Sequence, residues 1–272
     1  MVVALVALSS HATSLCARGF TVVEEPILDG PRVDRLAQAC SGRLHSLLAA
    51  IADIGYDPLE QSYTFAEVSH RQRKRWDMRP DFEEDIACDW VALCDAAVAT
   101  ATPIIREALG EGVVPRVDMT GAVISRPGCA AQSFHADATQ SHFDVAAARP
   151  QHRLFTAFVP LVDVCEDGDG TQFWSGSHIG DELERARRGI SGDGELQNAP
   201  LEAPGCPKGG MILFDYRVLH RGLPNTGPGR ERPVAYAVLS TDGATDQANF
   251  EQQSLVDSSP LLVDHAPYWA DE

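Results

Sequence analysis

A histidine and an aspartate lie two residues apart in the stretch Gln132-Ser-Phe-His-Ala-Asp137. If this stretch ends a β-strand, the side chains of His135 and Asp137 point to the same face and could bind one metal ion together. A His-x-Asp pair is also common in solvated loops, so it indicates a metal centre only if the chain supplies a further ligand. The chain contains two candidates for that ligand.

The stronger candidate is His220, which ends an apolar run immediately before a Gly/Pro-rich turn. His135, Asp137 and His220 together offer two imidazoles and one carboxylate, a set that suits Fe(II) and leaves three coordination positions open. The keto-acid end of 2-oxoglutarate could take two of these positions, and O2 could take the third. The alternative ligand is His142, five residues after Asp137, but it lies in a polar stretch without a strand of its own.

The far carboxylate of 2-oxoglutarate needs a fixed cation. An arginine serves better than a lysine, because its planar fork can donate two parallel hydrogen bonds to a carboxylate. Arg232 follows His220 and opens the next β-rich run, which is where we expect this cation. Arg230 is the alternative, although its place in a Gly/Pro turn predicts a solvated side chain.

The first part of the chain is predicted to be helical. Apolar residues recur at helical spacing over about 30–54, with Asp29 as the N-cap, and again over about 86–98. Asp81 and Glu84 resemble a capping box for the second helix, and Pro103 is expected to interrupt it. Residues 56–80 are predicted to be irregular, and residues 20–24 to form a strand.

From about residue 113, short β-rich runs separated by Gly/Pro turns replace the helical spacing. They predict an antiparallel barrel or jelly roll, with the long helices on one outer face. The predicted strands span 117–126, 132–136, 154–162, 171–174, 211–214 and 234–240. Residues 181–200 are expected to form a surface excursion. We predict a single domain over 1–272, with a helical part (about 1–112), a jelly-roll core (about 113–242) and a surface tail (243–272).

The order of these motifs resembles the phytanoyl-CoA dioxygenase family of Fe(II)/2-oxoglutarate oxygenases. The resemblance rests on His135-x-Asp137, the stretch Asp169-Gly-Thr-Gln-Phe-Trp-Ser-Gly-Ser-His178, residues 209–225 and Arg232-Pro-Val. It implies a mainly β fold with a double-stranded β-helix core, a cupin-like jelly roll. It also implies iron binding by His135, Asp137 and His220, and 2-oxoglutarate binding by Arg232, Gln132 and Thr156.

Two positions bear on the chemistry that this resemblance implies. The family often has a hydroxyl residue two positions after the distal histidine, where this chain has Gly222. One hydrogen bond to 2-oxoglutarate is therefore missing or comes from another residue. Some relatives are halogenases, in which a small residue replaces the carboxylate ligand. Asp137 is present, which favours hydroxylation or a related oxidation.

Composition excludes several partner classes. The formal net charge of -17 argues against nucleic acid, because phosphate binding needs a positive surface. No apolar run reaches the roughly 18 residues of a membrane span, so no membrane partner is predicted. The seven scattered cysteines form no C-x-x-C pair, which is typical of reduced thiols and predicts a cytoplasmic location.

A basic run, Arg71-Gln-Arg-Lys-Arg75, stands out in this acidic chain. It is interpreted either as a solvated loop paired with nearby carboxylates or as a basic lip that meets an anionic substrate. A nuclear-import signal is a third interpretation.

The sequence as a whole predicts an Fe(II)- and 2-oxoglutarate-dependent dioxygenase that oxidises a small organic substrate and releases succinate and CO2. Two alternatives stay open on the sequence alone. One is a non-catalytic metal- or ligand-binding relative with the same barrel. The other is a jelly-roll metalloenzyme that does not use 2-oxoglutarate, since a fold does not determine a chemistry.

Overall fold

Two antiparallel β-sheets face each other, and helices cover the outer face of the larger one. The computed structural model describes residues 2–166, 168–179, 199–226, 229–246 and 253–255, with side chains from residue 10 onward apart from residue 140. The strands are β1 Phe20–Val23, β2 Val68–Gln72, β3 Arg75–Met78, β4 Arg116–Ser125, β5 Leu154–Pro160, β6 Thr171–Trp174, β7 Leu201–Glu202, β8 Met211–Asp215, β9 His220–Gly222 and β10 Arg232–Ser240. The strand order is β1-β8-β5-β10-β4-β3-β2 in the larger sheet and β7-β6-β9 in the smaller one.

The alternation of side chains along each strand separates a hydrophobic core from a cavity. On β10, Ala235, Ala237 and Leu239 face the helices, whereas Tyr236 and Val238 face the space between the sheets. The same period of two on β3 and β4 assigns Trp76, Met78, Ala122 and Ile124 to the core. The larger sheet therefore has a helix-covered face and a face that lines the cavity.

The helices are α1 Val2–Arg18, α2 Gly30–Asp53, α3 Glu84–Leu109 and α4 Gln140–Ala148. The carboxylate of Asp29 accepts a hydrogen bond from the backbone N–H of Arg32, which confirms the predicted N-cap of α2. The buried stripe of α2 confirms the predicted helical spacing; it comprises Val33, Leu36, Cys40, Leu44, Leu47, Leu48 and Ile51.

Two predictions for α3 were wrong. Glu83 is its N-cap and makes no side-chain capping bond, while Asp81 pairs with Arg43 of α2 instead of forming a capping box with Glu84. Pro103 does not interrupt the helix, which continues to Leu109. Burial of the neighbouring Ala101, Ile104 and Ile105 offsets the backbone hydrogen bond that the proline removes. By length and composition α3 could cross a membrane, a test that the core helices of globular proteins also pass.

The prediction that residues 56–80 are irregular was wrong for part of this stretch. Strands β2 and β3 form a hairpin at the edge of the larger sheet. Lys74 occupies its turn with a φ of 63°. The hairpin carries Arg71, Arg75 and Asp77, which border the cavity. These charged residues break the expected alternation of apolar and polar positions, and the stretch therefore reads as a loop.

Residues 132–136 were predicted to form a strand and form none. A single β-bridge joins His135 to His220, and the backbone N–H of Gln132 donates to the carbonyl of Gly222. The segment runs beside β9 with too few paired residues for a strand. The predicted surface excursion falls mainly on 180–198, outside the described residues. Of the tail, Leu255 is buried in the main core.

Candidate active site

The space between the two sheets is a cavity of about 130 Å³. Its walls come from every strand except β1 and β7, and from the segment before α4. The polar residues in the wall are Arg71, Arg75, Asp77, Ser125, Gln132, His135, Asp137, Thr156, Thr171, Tyr216, His220, Arg232 and Tyr236. The apolar wall includes Phe158, Ile212, Val234 and Val238. Polar groups thus converge in an otherwise apolar pocket, which is typical of a small-molecule site.

His135, Asp137 and His220 meet at one place in this cavity. One side-chain ligand atom from each lies within 4.8 Å of the others. The Asp137 Oδ1 atom is 4.0 Å from Nε2 of His135 and 3.7 Å from Nε2 of His220. Among the residues that the structure describes, these three are the one group of His, Cys, Asp and Glu side chains close enough to hold a metal ion.

Backbone hydrogen bonds orient both imidazoles in the same way. The Nδ1 atom of His135 lies 3.0 Å from the carbonyl oxygen of Ser133, and Nδ1 of His220 lies 3.1 Å from that of Val218. A carbonyl oxygen only accepts, so each Nδ1 carries the proton and donates it. Each Nε2 is consequently left with a lone pair directed toward Asp137, which is the arrangement a metal-binding histidine needs.

Burial sets the protonation of the three residues. It lowers the pKa of His135 to about 4, an effect to which His220 adds, and it lowers the pKa of His220 to about 4. Burial also raises the pKa of Asp137 to about 6, although His135 and Arg71 oppose the rise. At pH 7 both imidazoles are therefore neutral and the carboxylate is mostly ionised, the states in which these groups bind metals.

Arg232 opens β10 beside the cavity, as predicted. The residue is 5% exposed, and its Nη2 donates to the carbonyl of Leu223 at 3.3 Å. Its Nη1 has no hydrogen-bond partner and lies 3.5 Å from Oδ2 of Asp169. Burial lowers the pKa of Arg232 to about 10, so the group remains a cation at pH 7. A buried cation with an unused donor is suited to bind an anion that enters the cavity.

The two alternatives from the sequence lie elsewhere. His142 belongs to α4, where its Nδ1 accepts from the backbone N–H of Thr139 and its Nε2 contacts the carbonyl of Thr245. Both of its ring nitrogens are thus used in local structure. Arg230 is exposed and donates to the backbone carbonyl of Asp163, and it does not border the cavity.

Gln132 and Thr156 both border the cavity. The Gln132 Oε1 atom accepts from the backbone N–H of Gly222 at 3.0 Å and from Nη1 of Arg75 at 3.1 Å. Thr156 projects from β5, and its buried hydroxyl has no hydrogen-bond partner among the described residues. The structure therefore brings every residue of the predicted site to one cavity.

Sequence reasoning missed a second polar group in the wall. Asp77 accepts from Nη2 of Arg71 at 2.9 Å and from the Tyr236 hydroxyl at 3.0 Å. Burial raises the pKa of Asp77, although Arg71 opposes the rise. Gly121 leaves room for Tyr236, because a Cβ at this glycine would overlap the tyrosine hydroxyl. Polar residues at positions 75 and 77 are the sequence signal of a strand whose one face lines a cavity.

A family model described as "Phytanoyl-CoA dioxygenase (PhyH)" matches residues 18–234. The chain belongs to the phytanoyl-CoA dioxygenase family. The match includes the converging histidines, Asp137 and Arg232, and it confirms the resemblance drawn from the sequence. Members of this family are 2-oxoglutarate-dependent oxygenases, so this chain is an enzyme of that class, with iron and 2-oxoglutarate as its cofactor and co-substrate.

Solved structures support the same fold. AviO1 from Streptomyces viridochromogenes Tue57 has a TM-score of 0.58 at 18% identity, over 87% of this chain and 96% of that one. HygX from Streptomyces hygroscopicus, solved with nickel and 2-oxoglutarate bound, has a TM-score of 0.56 at 14% identity, over 90% and 94% of the two chains. EctD from S. alaskensis, solved with 2-oxoglutarate and 5-hydroxyectoine, has a TM-score of 0.53 at 21% identity, over 85% and 75%. These similarities confirm the predicted jelly-roll core with flanking helices.

Proposed function

We propose that this phytanoyl-CoA dioxygenase family member hydroxylates, or oxidises in a related way, a small organic substrate at an Fe(II) centre held by His135, Asp137 and His220. The observation that carries the proposal is the convergence of these three side chains within 4.8 Å in a cavity that also contains the buried cation Arg232. The modest cavity volume of about 130 Å³ favours a small substrate.

The side chains present fit this metal. Two neutral imidazoles and a carboxylate on one side of a site are typical of Fe(II) oxygenases, and they leave room for other ligands. When bound, the iron would activate O2 in a reaction that converts 2-oxoglutarate to succinate and CO2. Arg232 would bind the far carboxylate of 2-oxoglutarate, and Gln132 and Thr156 would border the same molecule.

The contribution of the protein is positioning and exclusion of water. The carbonyls of Ser133 and Val218 fix the planes of the two imidazole rings. Phe158, Ile212 and Val238 line the same cavity with apolar surface. Apolar surface of this kind helps to exclude water and so protects a reactive centre from side reactions. The helical part and the β-rich part share one hydrophobic core, which supports a single catalytic domain.

The metal assignment is tested by measuring Fe(II)-dependent conversion of 2-oxoglutarate to succinate, without a primary substrate. We expect His220→Ala to lower this rate by more than about a hundredfold, because removing a direct ligand costs more than disturbing a residue behind one. His142→Ala is the matched control and should retain the rate. The opposite pattern, with His142 required and His220 dispensable, would contradict the proposed ligand set.

The co-substrate assignment is tested by comparing Arg232→Gln with Arg230→Gln. We expect Arg232→Gln to raise the KM for 2-oxoglutarate by about tenfold to a hundredfold, because a charge-assisted pair in a buried site is lost. Arg230→Gln removes an exposed cation two residues away and should leave the KM unchanged. A raised KM in the Arg230 variant alone would transfer the role to that residue.

A further inference from the structure

Gly222 lies two residues after His220, at the position where a hydroxyl residue was expected. The structure fills this place with another side chain. A Cβ built on Gly222 would overlap Nη1 of Arg75, and would also lie 2.7 Å from Oε1 of Gln132. No side chain larger than hydrogen fits at 222 while Arg75 holds its present conformation. The glycine and the arginine are therefore complementary, although they are far apart in the chain.

Arg75 and Arg232 project from one face of the larger sheet. Ser125 of β4 is the register partner of Arg75 on β3 and, on its other side, of Arg232 on β10. Residues that pair across neighbouring strands point to the same face, so the three side chains form a row that borders the cavity. Strand spacing places the two arginine backbones roughly 10 Å apart, with one strand between them.

This row carries more positive than negative charge. Arg75 is 2% exposed and Arg232 is 5% exposed, and Arg75 lowers the pKa of Arg232 by adding a like charge beside it. Within the described ranges, the ion pairs of these two arginines include one carboxylate only, Asp169, which lies 3.5 Å from Arg232. Buried like charges are costly unless a counter-charge accompanies them. An anion bound between the two arginines would therefore stabilise the site.

Local hydrogen bonds hold the Arg75 guanidinium in place. Its Nη2 donates to the carbonyls of Ala130 and Leu223, and its Nη1 donates to Gln132. The carbonyl of Leu223 also accepts from Arg232, so one backbone group links both cations. The Nε atom of Arg75 is buried without a hydrogen-bond partner. The cation is thus fixed toward the cavity and keeps an unused donor.

We propose that Arg75 is a second cation for the far carboxylate of 2-oxoglutarate, acting beside Arg232 and supplying the interaction that a side chain at position 222 would otherwise make. This inference rests on the proposed function, in which Arg232 binds that carboxylate. It makes the β2–β3 hairpin part of the co-substrate site. The alternative interpretation of Arg75 is a purely structural one, in which it only supports the loops around residues 130 and 223.

The test is a binding measurement, independent of turnover, on the Fe(II)-loaded enzyme without oxygen. Two ligands are titrated calorimetrically: 2-oxoglutarate, and 2-oxopentanoate, which has the same carbon chain but ends in a methyl group. We expect Arg75→Gln to raise the Kd of 2-oxoglutarate by about tenfold to a hundredfold and to change the Kd of 2-oxopentanoate by less than about threefold. Arg73→Gln, which removes the exposed arginine of the same hairpin, is the matched control and should change neither Kd.

The outcomes separate the two proposals. If Arg75→Gln weakened the binding of both acids equally, or of neither, the proposed role of Arg75 would be overturned. The role of Arg232 would still stand if Arg232→Gln lost the discrimination between 2-oxoglutarate and 2-oxopentanoate. If Arg232→Gln also retained full discrimination between the two acids, the co-substrate assignment itself would be wrong.

Substitution at Gly222 approaches the same contact from the other side and does not depend on Arg75→Gln folding well. Gly222→Ser should displace the guanidinium and raise the Kd of 2-oxoglutarate by about tenfold or more. In the double variant Arg75→Gln/Gly222→Ser, the serine has room, and the Kd should be lower than in either single variant. Residues in contact are non-additive in this way. Strict additivity of the two changes would overturn the proposal.

Discussion

The two ends of the cavity are built differently. At the metal end, His135 and Asp137 come from one short segment, and a single backbone bridge adds His220 to them. At the co-substrate end, Arg75, Arg232 and Gln132 come from a hairpin, a central strand and a loop. The first arrangement is largely local and leaves a short motif in the sequence. The second includes Arg75, whose place beside Arg232 depends on the register of three strands and is recorded by no short motif.

This difference predicts that the two ends fail separately. The largest effect is expected for Asp137→Ala, which removes a metal ligand and should lower Fe(II)-dependent succinate formation by more than about a hundredfold. The metal-free variant should stay folded, because the substitution removes a charge that is costly to bury. Turnover and thermal unfolding of the metal-free enzyme measure the two properties. The exposed Asp53→Ala is the control. Retained turnover in the Asp137 variant would contradict its assignment as a metal ligand.

Trp76→Ala should damage the co-substrate end. The indole is fully buried on β3, donates to the Tyr63 hydroxyl at 2.8 Å and lies next to Arg75 in the chain. We expect a loss of about 3–5 kcal/mol in the free energy of unfolding, measured with urea. In conditions where the variant is folded, the KM for 2-oxoglutarate should rise while the Kd for Fe(II) stays within about threefold. A parallel loss of metal affinity would show that the two ends are coupled.

Gly121→Ala tests the part of the cavity wall that Tyr236 and Asp77 form. An added methyl group must displace the Tyr236 hydroxyl from Asp77, at a cost of about 1–3 kcal/mol in the free energy of unfolding. Tyr236→Phe in the Gly121→Ala background should recover part of that loss, because one of the three overlapping atoms, the hydroxyl oxygen, is gone while Cζ and Cε1 of the ring remain. Denaturant unfolding of the two variants provides the comparison. An unchanged free energy of unfolding in Gly121→Ala would show that the Tyr236 side chain can move aside at little cost.

The smallest effect is expected far from the cavity. Asp29→Ala removes the N-cap of α2 and should cost about 1 kcal/mol in the free energy of unfolding. The KM for 2-oxoglutarate and the Kd for Fe(II) should not change, since the helix lies on the outer face of the larger sheet. An altered KM would mean that the helical layer transmits changes to the cavity.

The same contrast explains what the sequence could and could not predict. Local signals were sufficient for the Asp29 cap and for the strand at Thr171–Trp174, because each depends on neighbouring residues. The β2–β3 hairpin was missed because Arg75 and Asp77 are charged yet buried. Their burial makes sense only with partners such as Leu223 and Tyr236, which are distant in the sequence.

The continuation of α3 through Pro103 was not predicted, for a related reason. Proline is a strong local signal for the end of a helix, and it was overruled by the buried residues on either side of it. Gly222 shows the reverse case. The glycine was recognised as a departure from the family pattern, but its meaning depended on a guanidinium from another strand.

The bridge between His135 and His220 bears on how iron enters the site. The two residues exchange both backbone hydrogen bonds, at 3.0 and 2.8 Å. Their amide hydrogens can exchange with solvent only when the two segments part, so their exchange rates report directly on the integrity of the centre. A stable bridge means that apoprotein and iron-loaded protein share one backbone at this point. Iron would then enter a site that is already assembled, and little chain ordering would oppose its capture.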